Sequence, residues 1–416
     1  MIKGSAASVA GGAALAAGLL YYGQGFLIYP SGFPQGSRQT VATPMEYNMI
    51  YHDVTLETPD KLKIRAYLML QREDVPNTKG AYQQSHLYWK SKRKEEGKQL
   101  RTMSGTFGSS SATKGEKEEA GVAEGSVEEG IRIDPDMSEH DQEVALSRPT
   151  VMIFHANAGN LGHRLPLARL FYDQMRCNVF MLSYRGYGLS EGSPSEKGLR
   201  MDAQAALDFV QEHPILKETP ILLYGQSIGG AVAIDLASRN PAAIHAMILE
   251  NTFTSIPDLI PTVLPYLSSV SFLCHQVWPS STSIAKIPTS TPILMISGLE
   301  DEVVPPSHMK KLWEIVCSQG GLEGVEEEEI LPEAGEEAGG RLGERRPPRT
   351  ETTAEGKGVE DDAEKKAKDR EWRKMRRGVK WWMEFSEGQH NNTCVYREYW
   401  REVAAFVKKY TSITSS

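Results

Sequence analysis

Cysteine is scarce in this chain: 4 in 416 residues, at Cys177, Cys274, Cys317 and Cys394, widely spaced and never paired as C-x-x-C. With no such pair and no H-E-x-x-H, zinc-ligand spacing is missing and a metal mechanism has no support. No metal and no cofactor is expected. Four free thiols, each a small core residue, is the plain expectation, with a Cys177–Cys394 bridge left open. Positive charge is also lacking: 46 Lys plus Arg face 54 Asp plus Glu, a net charge of -8. A surface that spreads over nucleic acid is normally basic, so no nucleic-acid partner is expected. There are no convincing internal repeats.

Charge is missing altogether from Ser5 to Tyr29. A helix of about 20 such residues spans the hydrocarbon core of a bilayer. The run is rich in Ala and Gly, which suits close helix packing, and Tyr21 with Tyr22 suits a membrane interface. A transmembrane anchor over 5–29 is therefore expected. Two other readings stand beside it: a cleaved signal peptide, for which Lys3 and the small residues Ala14 and Ala16 fit loosely, and a buried soluble helix. Lys3 and Arg38 give almost no charge bias, so orientation stays open. The expected location is a membrane crossed once, with the endoplasmic reticulum as a candidate compartment.

Two stretches lack the apolar residues of a core. Residues 71–147 are filled with Lys, Glu, Gly and Ser, and residues 318–377 run from the acidic Glu326–Glu329 to the basic Lys365–Arg377. Such composition cannot bury enough apolar surface to offset the entropy of ordering, so both are expected to be disordered insertions in loops. Ala363 to Met375 could form a charged helix. What is left, 45–70, 148–317 and 378–411, is an ordinary size for one α/β domain. Short apolar runs at Val151–Phe154, Val179–Leu182, Ile221–Tyr224, Ala246–Leu249 and Ile293–Ile296 alternate with helical patterns such as Met201–Val210 and Ala231–Ala237. Strand alternating with helix predicts a mostly parallel sheet. Tyr51–Glu57 and Leu62–Leu68, around Pro59 and Asp60, predict an antiparallel hairpin at its edge.

G-x-S-x-G occurs twice, centred on Ser190 and on Ser227. A nucleophile of this kind needs a strand ending in a tight turn with a helix straight after, so that the hydroxyl stands above the sheet. Ser227 follows Ile221–Tyr224 and precedes a helical pattern, whereas Ser190 runs on into Gly192, Ser193 and Pro194, a loop. Ser227 is the candidate. Gly186, Gly188 and Gly192 also brush against a dinucleotide-binding fingerprint, but with one residue too many and no helix opening there.

A serine hydroxyl needs a base, and on this architecture acid and base follow the serine in the order Asp or Glu, then His. Of the histidines after Ser227, His245 opens a buried strand, His275 falls in an apolar segment and His308 reads as a surface helix residue. His390 follows the apolar run Val379–Phe385, where a base at the end of the last strand belongs. Asp301, directly after Ile293–Ile296, is the matching acid, and Glu250 is a weaker alternative or a structural acceptor. The loop His155–Asn160 follows a buried strand, so the backbone N–H groups of Asn157 and Ile228 are expected to face a developing oxyanion. The sequon at Asn391 abuts His390, and a glycan there would crowd the site.

These stretches, His155–Asn160, Ser183–Gly192, Gly225–Gly230, Gly298–Pro306 and Gly388–Asn391, together resemble the bud-emergence (Bem-type) α/β-hydrolases. The resemblance covers the folded core and not the insertions. It implies the α/β-hydrolase fold, one N-terminal membrane segment and a Ser, Asp, His triad, carried here to Ser227, Asp301 and His390. Similar domains are grouped with esterases, protein depalmitoylases and serine aminopeptidases, so it names no substrate. Two positions depart from the pattern: Ala156 stands where the family usually has Gly, and Asn392 where it usually has Asp.

The chemistry so implied is acyl transfer to water, with a small-molecule or lipid-linked acyl ester or thioester as substrate and the membrane as partner; oligomeric state is left open. The rivals are a peptidase of the aminopeptidase type, for which no acidic amine-binding group is evident, and a membrane-tethered scaffold that keeps the fold without the activity. Residues 255–287, between a strand and the acid, are expected to be either an apolar lid or core packing.

Overall fold

A computed structural model describes residues 18, 21–73, 137–319, 328–330 and 372–411. One ten-stranded sheet runs through it, in the order β1-β2-β4-β3-β5-β6-β7-β10-β9-β8. The strands are β1 (His52–Glu57), β2 (Lys63–Met69), β3 (Thr150–Phe154), β4 (Asn178–Ser183), β5 (Ile221–Gln226), β6 (Ala246–Glu250), β7 (Ile293–Gly298), β8 (Glu328–Ile330), β9 (Trp372–Arg377) and β10 (Lys380–Phe385). From β4 through β3, β5, β6 and β7 to β10 every pairing is parallel. The expected hairpin β1–β2 is antiparallel and closes one edge, pairing on to β4 in the same sense.

The central strands β3 to β7 are buried at every position because both faces are covered, and they are apolar except near their ends. In β3, Met152 and Phe154 enter one hydrophobic cluster while Val151 and Ile153 enter the other. The helices that matter are α1 (Glu139–Leu146), α2 (Glu196–Glu212), α3 (Ile228–Arg239), α4 (Ile256–Val263), α5 (Pro306–Ser318) and α6 (Arg397–Thr411). α2, α3 and α5 supply the first cluster and α6 the second. α2 shows how the sequence does this. Ser195 caps it by accepting a hydrogen bond from the Gly198 N–H at 3.1 Å, and Leu199, Ala203, Ala206 and Val210 return to one face. Each large side chain so buried is worth roughly 1.5–3 kcal/mol relative to exposure.

Two expectations change. Trp372–Arg377, expected to be disordered or, as far as Met375, a charged helix, forms β9 instead. Its charges are absorbed by α6: Lys374 Nζ lies 2.6 Å from Glu398 and 2.9 Å from Glu402, while Arg376 lies over the Trp381 ring. The domain therefore begins again before residue 378. Glu139–Leu146, inside the other insertion, is the helix α1, capped by Ser138, with Ala145 buried. β8 (Glu328–Ile330) also falls inside the second insertion, paired with β9, and Gln71 at the start of the first is fully buried. Residues 74–136, 320–327 and 331–371 lie outside the described residues, as does most of the expected anchor 5–29. Among the described residues no helix is long and apolar enough to cross a membrane. The cysteines meet the plain expectation: all four are free, and the Cys177–Cys394 bridge left open beside it is absent.

Candidate active site

Ser227 sits between the last residue of β5 and the first of α3, with φ 56° and ψ -122°. For a residue with a side chain this backbone is strained, at a cost of order 1–3 kcal/mol. Its neighbours make the turn possible. A Cβ on Gly225 would meet the Gly229 carbonyl oxygen at 2.3 Å, and a Cβ on Gly229 would meet that of Phe154 at 2.1 Å. Glycine at these two positions lets α3 start against the end of β3. The turn is then pinned from the next strand: Ser227 N–H donates to the Glu250 carbonyl at 3.0 Å, and Thr252 Oγ1 donates to the Ser227 carbonyl at 2.8 Å.

The other G-x-S-x-G serine does something else. Ser190 is buried, its Oγ donates to the Ser183 carbonyl at 2.7 Å and accepts from the Arg65 N–H at 2.9 Å. It joins a loop to the hairpin. Arg185 at the start of that loop does the same, reaching Asp60 at 2.7 Å and Asp202 at 2.8 Å. The near-fingerprint of glycines is thus a structural turn.

His390 and Asp301 meet, as the sequence predicts: Nδ1 lies 2.8 Å from Oδ2. The second oxygen of Asp301 accepts the N–H groups of Val303 and Val304 at 2.8 and 2.7 Å, which locks the carboxylate in its loop. His390, Asp301 and Ser227 are 5%, 8% and 6% exposed, and all three follow the C-terminal ends of parallel strands, β10, β7 and β5. Among the described residues the Ser227 hydroxyl makes no hydrogen bond to His390. Such contacts are often long in a free site and tighten with substrate.

Glu250, the alternative acid, points elsewhere. It is fully buried and accepts from Tyr224, Tyr399 at 2.7 Å, Thr393 and Gln226 at 3.4 Å. That is the structural acceptor role. Burial and this carboxylate together hold the Tyr224 and Tyr399 phenols well above their ordinary range. His308, read as a surface residue, is in fact buried, and its Nδ1 lies 2.9 Å from Thr254 Oγ1. A helical pattern alone does not reveal which face meets the strand-end loop at Thr254.

Two positioning residues escaped the sequence reading. Gln226 Nε2 donates to the His390 carbonyl at 2.9 Å, and Asn251 Nδ2 donates to the same oxygen at 3.1 Å. Asn251 also accepts from the Gly298 N–H at 2.9 Å, so it ties the β7 end to the histidine loop. Their only sequence signal is place: one inside G-x-S-x-G, one just past a strand. Asn392, the departure after His390, accepts from the Gln389 N–H at 2.6 Å and closes that loop.

The loop after β3 runs against the start of α3, where a Cβ on Gly229 would lie 2.8 Å from the His155 carbonyl oxygen. Ile228 opens α3, so its N–H has no intrahelical acceptor. The Asn157 side chain is fixed at both ends, accepting from Tyr187 OH at 2.7 Å and donating to the Ile28 carbonyl. Ala156 needs no positive φ here, so its methyl costs the loop nothing. His155 packs against Tyr184 and Tyr187, with ring centroids at 4.3 and 5.1 Å, and its Nδ1 faces the Ala156 carbonyl at 2.7 Å. Burial pushes this imidazole down to about 3, so it stays neutral. Among the described residues no group of three or more His, Cys, Asp or Glu is placed to hold a metal ion.

The family described as the alpha/beta hydrolase fold matches residues 149–272. Protein bem46 of Schizosaccharomyces pombe is 43% identical over 286 residues, covering 68% of this chain and 72% of that protein. The alpha/beta hydrolase domain-containing protein WAV2 of Arabidopsis thaliana is 45% identical, over 40% of this chain and 57% of its own length. The uncharacterized membrane protein YNL320W of Saccharomyces cerevisiae is also 45% identical, over 40% of this chain and 59% of its own.

Proposed function

This chain belongs to the Bem46-type family of α/β-hydrolases, and from that premise we propose a membrane-anchored serine hydrolase that cleaves ester or thioester bonds. Ser227 is the nucleophile, His390 the base and Asp301 the residue that orients it. The observation that carries the reading is the His390–Asp301 pair at 2.8 Å, on loops after β10 and β7, beside a serine held in a strained strand-to-helix turn.

In the reaction, His390 Nε2 takes the Ser227 proton as Oγ attacks the acyl carbonyl. Asp301 keeps the Nδ1 proton in place and stabilises the imidazolium without taking that proton. The carbonyl oxygen becomes an oxyanion facing the N–H groups of Asn157 and Ile228, the largest single source of stabilisation in sites of this kind. His390 then hands its proton to the departing alcohol or thiol, leaving an acyl-enzyme. Water enters, His390 deprotonates it, and collapse of the second intermediate frees the acid and Ser227.

The uncharged run that starts at Ser5 anchors the chain in a membrane, with its end from Gln24 to Tyr29 packed on the domain; the uncharged run and the naming of the yeast relative as a membrane protein support this reading. The substrate class is then an acyl ester or thioester, lipid-linked where the membrane presents it. A stopped-flow assay with p-nitrophenyl butyrate and a butyryl thioester tests the chemistry. An initial burst of product equal to the enzyme concentration, lost in Ser227→Ala, is the expected result. Hydrolysis that survives the substitution would remove the assignment.

A further inference from the structure

Between Asp258 and His275 the chain carries no charged residue. A run so apolar usually sits in a core, yet here only its ends, Leu259, Ile260 and Cys274, pack against one, and each is only partly buried. No residue of the helical segment Pro265–Leu273 is buried, and in α4 only Ile256 is. Tyr266 and Phe272 are each 77% exposed and Val263 46%. Single exposed apolar residues need no explanation, but a continuous uncharged strip marks a surface that meets something other than water.

A second segment extends the same surface. The helical residues 21–28 lie against the far end of the strip. Gln24 Nε2 donates to the Leu273 carbonyl at 2.8 Å, Gln24 Oε1 accepts from the His275 N–H at 2.9 Å, and the Tyr21 and His275 rings are 4.5 Å apart. Tyr29 continues the seam, accepting from Trp278 Nε1 at 2.8 Å. This helix turns Tyr22 and Phe26 outward, 85% and 89% exposed. It is also the end of the uncharged run that starts at Ser5. The strip and the anchor are therefore bonded to each other, and both border the candidate site. Ile28 accepts from the Asn157 side chain in the loop after β3, and α4, which leads into the strip, is capped by Ser255, three residues after the Thr252 that pins Ser227.

We propose that the strip 259–274 docks on the lipid bilayer that holds residues 5–29, so that the mouth around Ser227 opens at the membrane surface. This rests on the anchor reading given above and adds to it a second contact, distant in sequence. The bilayer is the occupant because the helix hydrogen-bonded to the strip continues directly into the uncharged run. The strip also offers no charge that would oppose entry into the headgroup and acyl boundary. An acyl chain reaches the serine along this face without crossing water, while the polar end of the substrate stays at the interface.

The test uses the full chain in phosphatidylcholine vesicles containing a phospholipid with a diazirine on its acyl chain. Vesicle flotation is followed by irradiation and peptide mapping. Lipid adducts are expected within 259–274 as well as within 5–29. In the double variant Tyr266→Asp, Phe272→Asp, those in the strip should fall about tenfold and those in 5–29 persist, since aspartate at bilayer depth is strongly disfavoured. Adducts confined to 5–29 overturn the proposal and leave the anchor standing. A chain that does not float with the vesicles overturns both. In a parallel sample treated with a bifunctional amine-to-diazirine crosslinker, crosslinks from the strip to a second copy of the chain, with no lipid adducts there, assign the face to self-association and overturn it as well. The wild-type map needs no variant, and none of these outcomes depends on hydrolytic activity.

Discussion

Asp301→Asn separates catalysis from stability, because the two carboxylate oxygens of Asp301 do different work. Oδ1 accepts from Val303 and Val304 at 2.8 and 2.7 Å, and Oδ2 faces His390 Nδ1 at 2.8 Å. An amide has one acceptor oxygen and one donor NH2. Two backbone donors hold that oxygen on the loop side, since turning the amide over would leave both N–H groups unsatisfied at about 1–3 kcal/mol each. The NH2 must then face Nδ1, and the imidazole answers by carrying its proton on Nε2. In that tautomer the ring cannot accept the Ser227 proton. The expected loss in kcat is about 10³–10⁴-fold, or about 4–5.5 kcal/mol of barrier. Stability should change by no more than about 1 kcal/mol, because the loop bonds survive. Asp301→Ala, by contrast, removes the loop acceptor too and should cost about 2–4 kcal/mol of stability as well as activity. Steady-state ester hydrolysis and thermal unfolding, measured on both variants, give the comparison. An Asn variant within about tenfold of wild type would refute the orienting role of Asp301.

Ser190→Ala should leave kcat unchanged and lower stability by about 1–3 kcal/mol, since the Arg65 N–H and the Ser183 carbonyl both lose their partner. A fall in kcat with unchanged stability would return Ser190 to the list of nucleophiles. Gly229→Ala puts a methyl 2.1 Å from the Phe154 carbonyl oxygen, and thermal unfolding should show a loss of about 3 kcal/mol or more; a variant as stable as wild type would contradict the packing described for the turn. Lys380 gives a pH dependence. Burial lowers it from the ordinary 10.5 to about 8, with Nζ donating to the Thr291 carbonyl at 2.6 Å. The unfolded chain holds this proton more tightly than the native one between those values, so stability rises with pH across that window, by up to a few kcal/mol. Wild type should therefore gain on Lys380→Met as pH is raised from about 8 to 10, measured by urea unfolding, and a constant difference would reject the buried charge.

The parallel sheet was legible because its strands are uncharged runs bounded by turns, a signal that survives without knowing their neighbours. The candidate residues were legible for a related reason: Ser227, Asp301 and His390 each follow a strand, and order along the chain is a local property. What escaped depends on partners far away in sequence. The stretch from Trp372 to Arg377 looks like a solvated basic run until Glu398 and Glu402 on α6 are placed beside it. His308 looks like a surface helix residue until Thr254 meets it. Asn251 and Gln226 were missed because they act on a backbone carbonyl, that of His390, and nothing in a sequence marks an acceptor of that kind. The segment 255–287 was left between lid and core; its first part, 257–275, holds no buried residue, whereas Trp278 and Ile284 are buried in the core.

The central claim is that Ser227, and not Ser190, carries the reactive hydroxyl. Treating the full chain with a fluorophosphonate and mapping the adduct by peptide mass spectrometry tests it most directly. One phosphonyl group is expected on the peptide containing Ser227, and no labelling of Ser227→Ala. An adduct on Ser190, or equal labelling of wild type and Ser227→Ala, would contradict it.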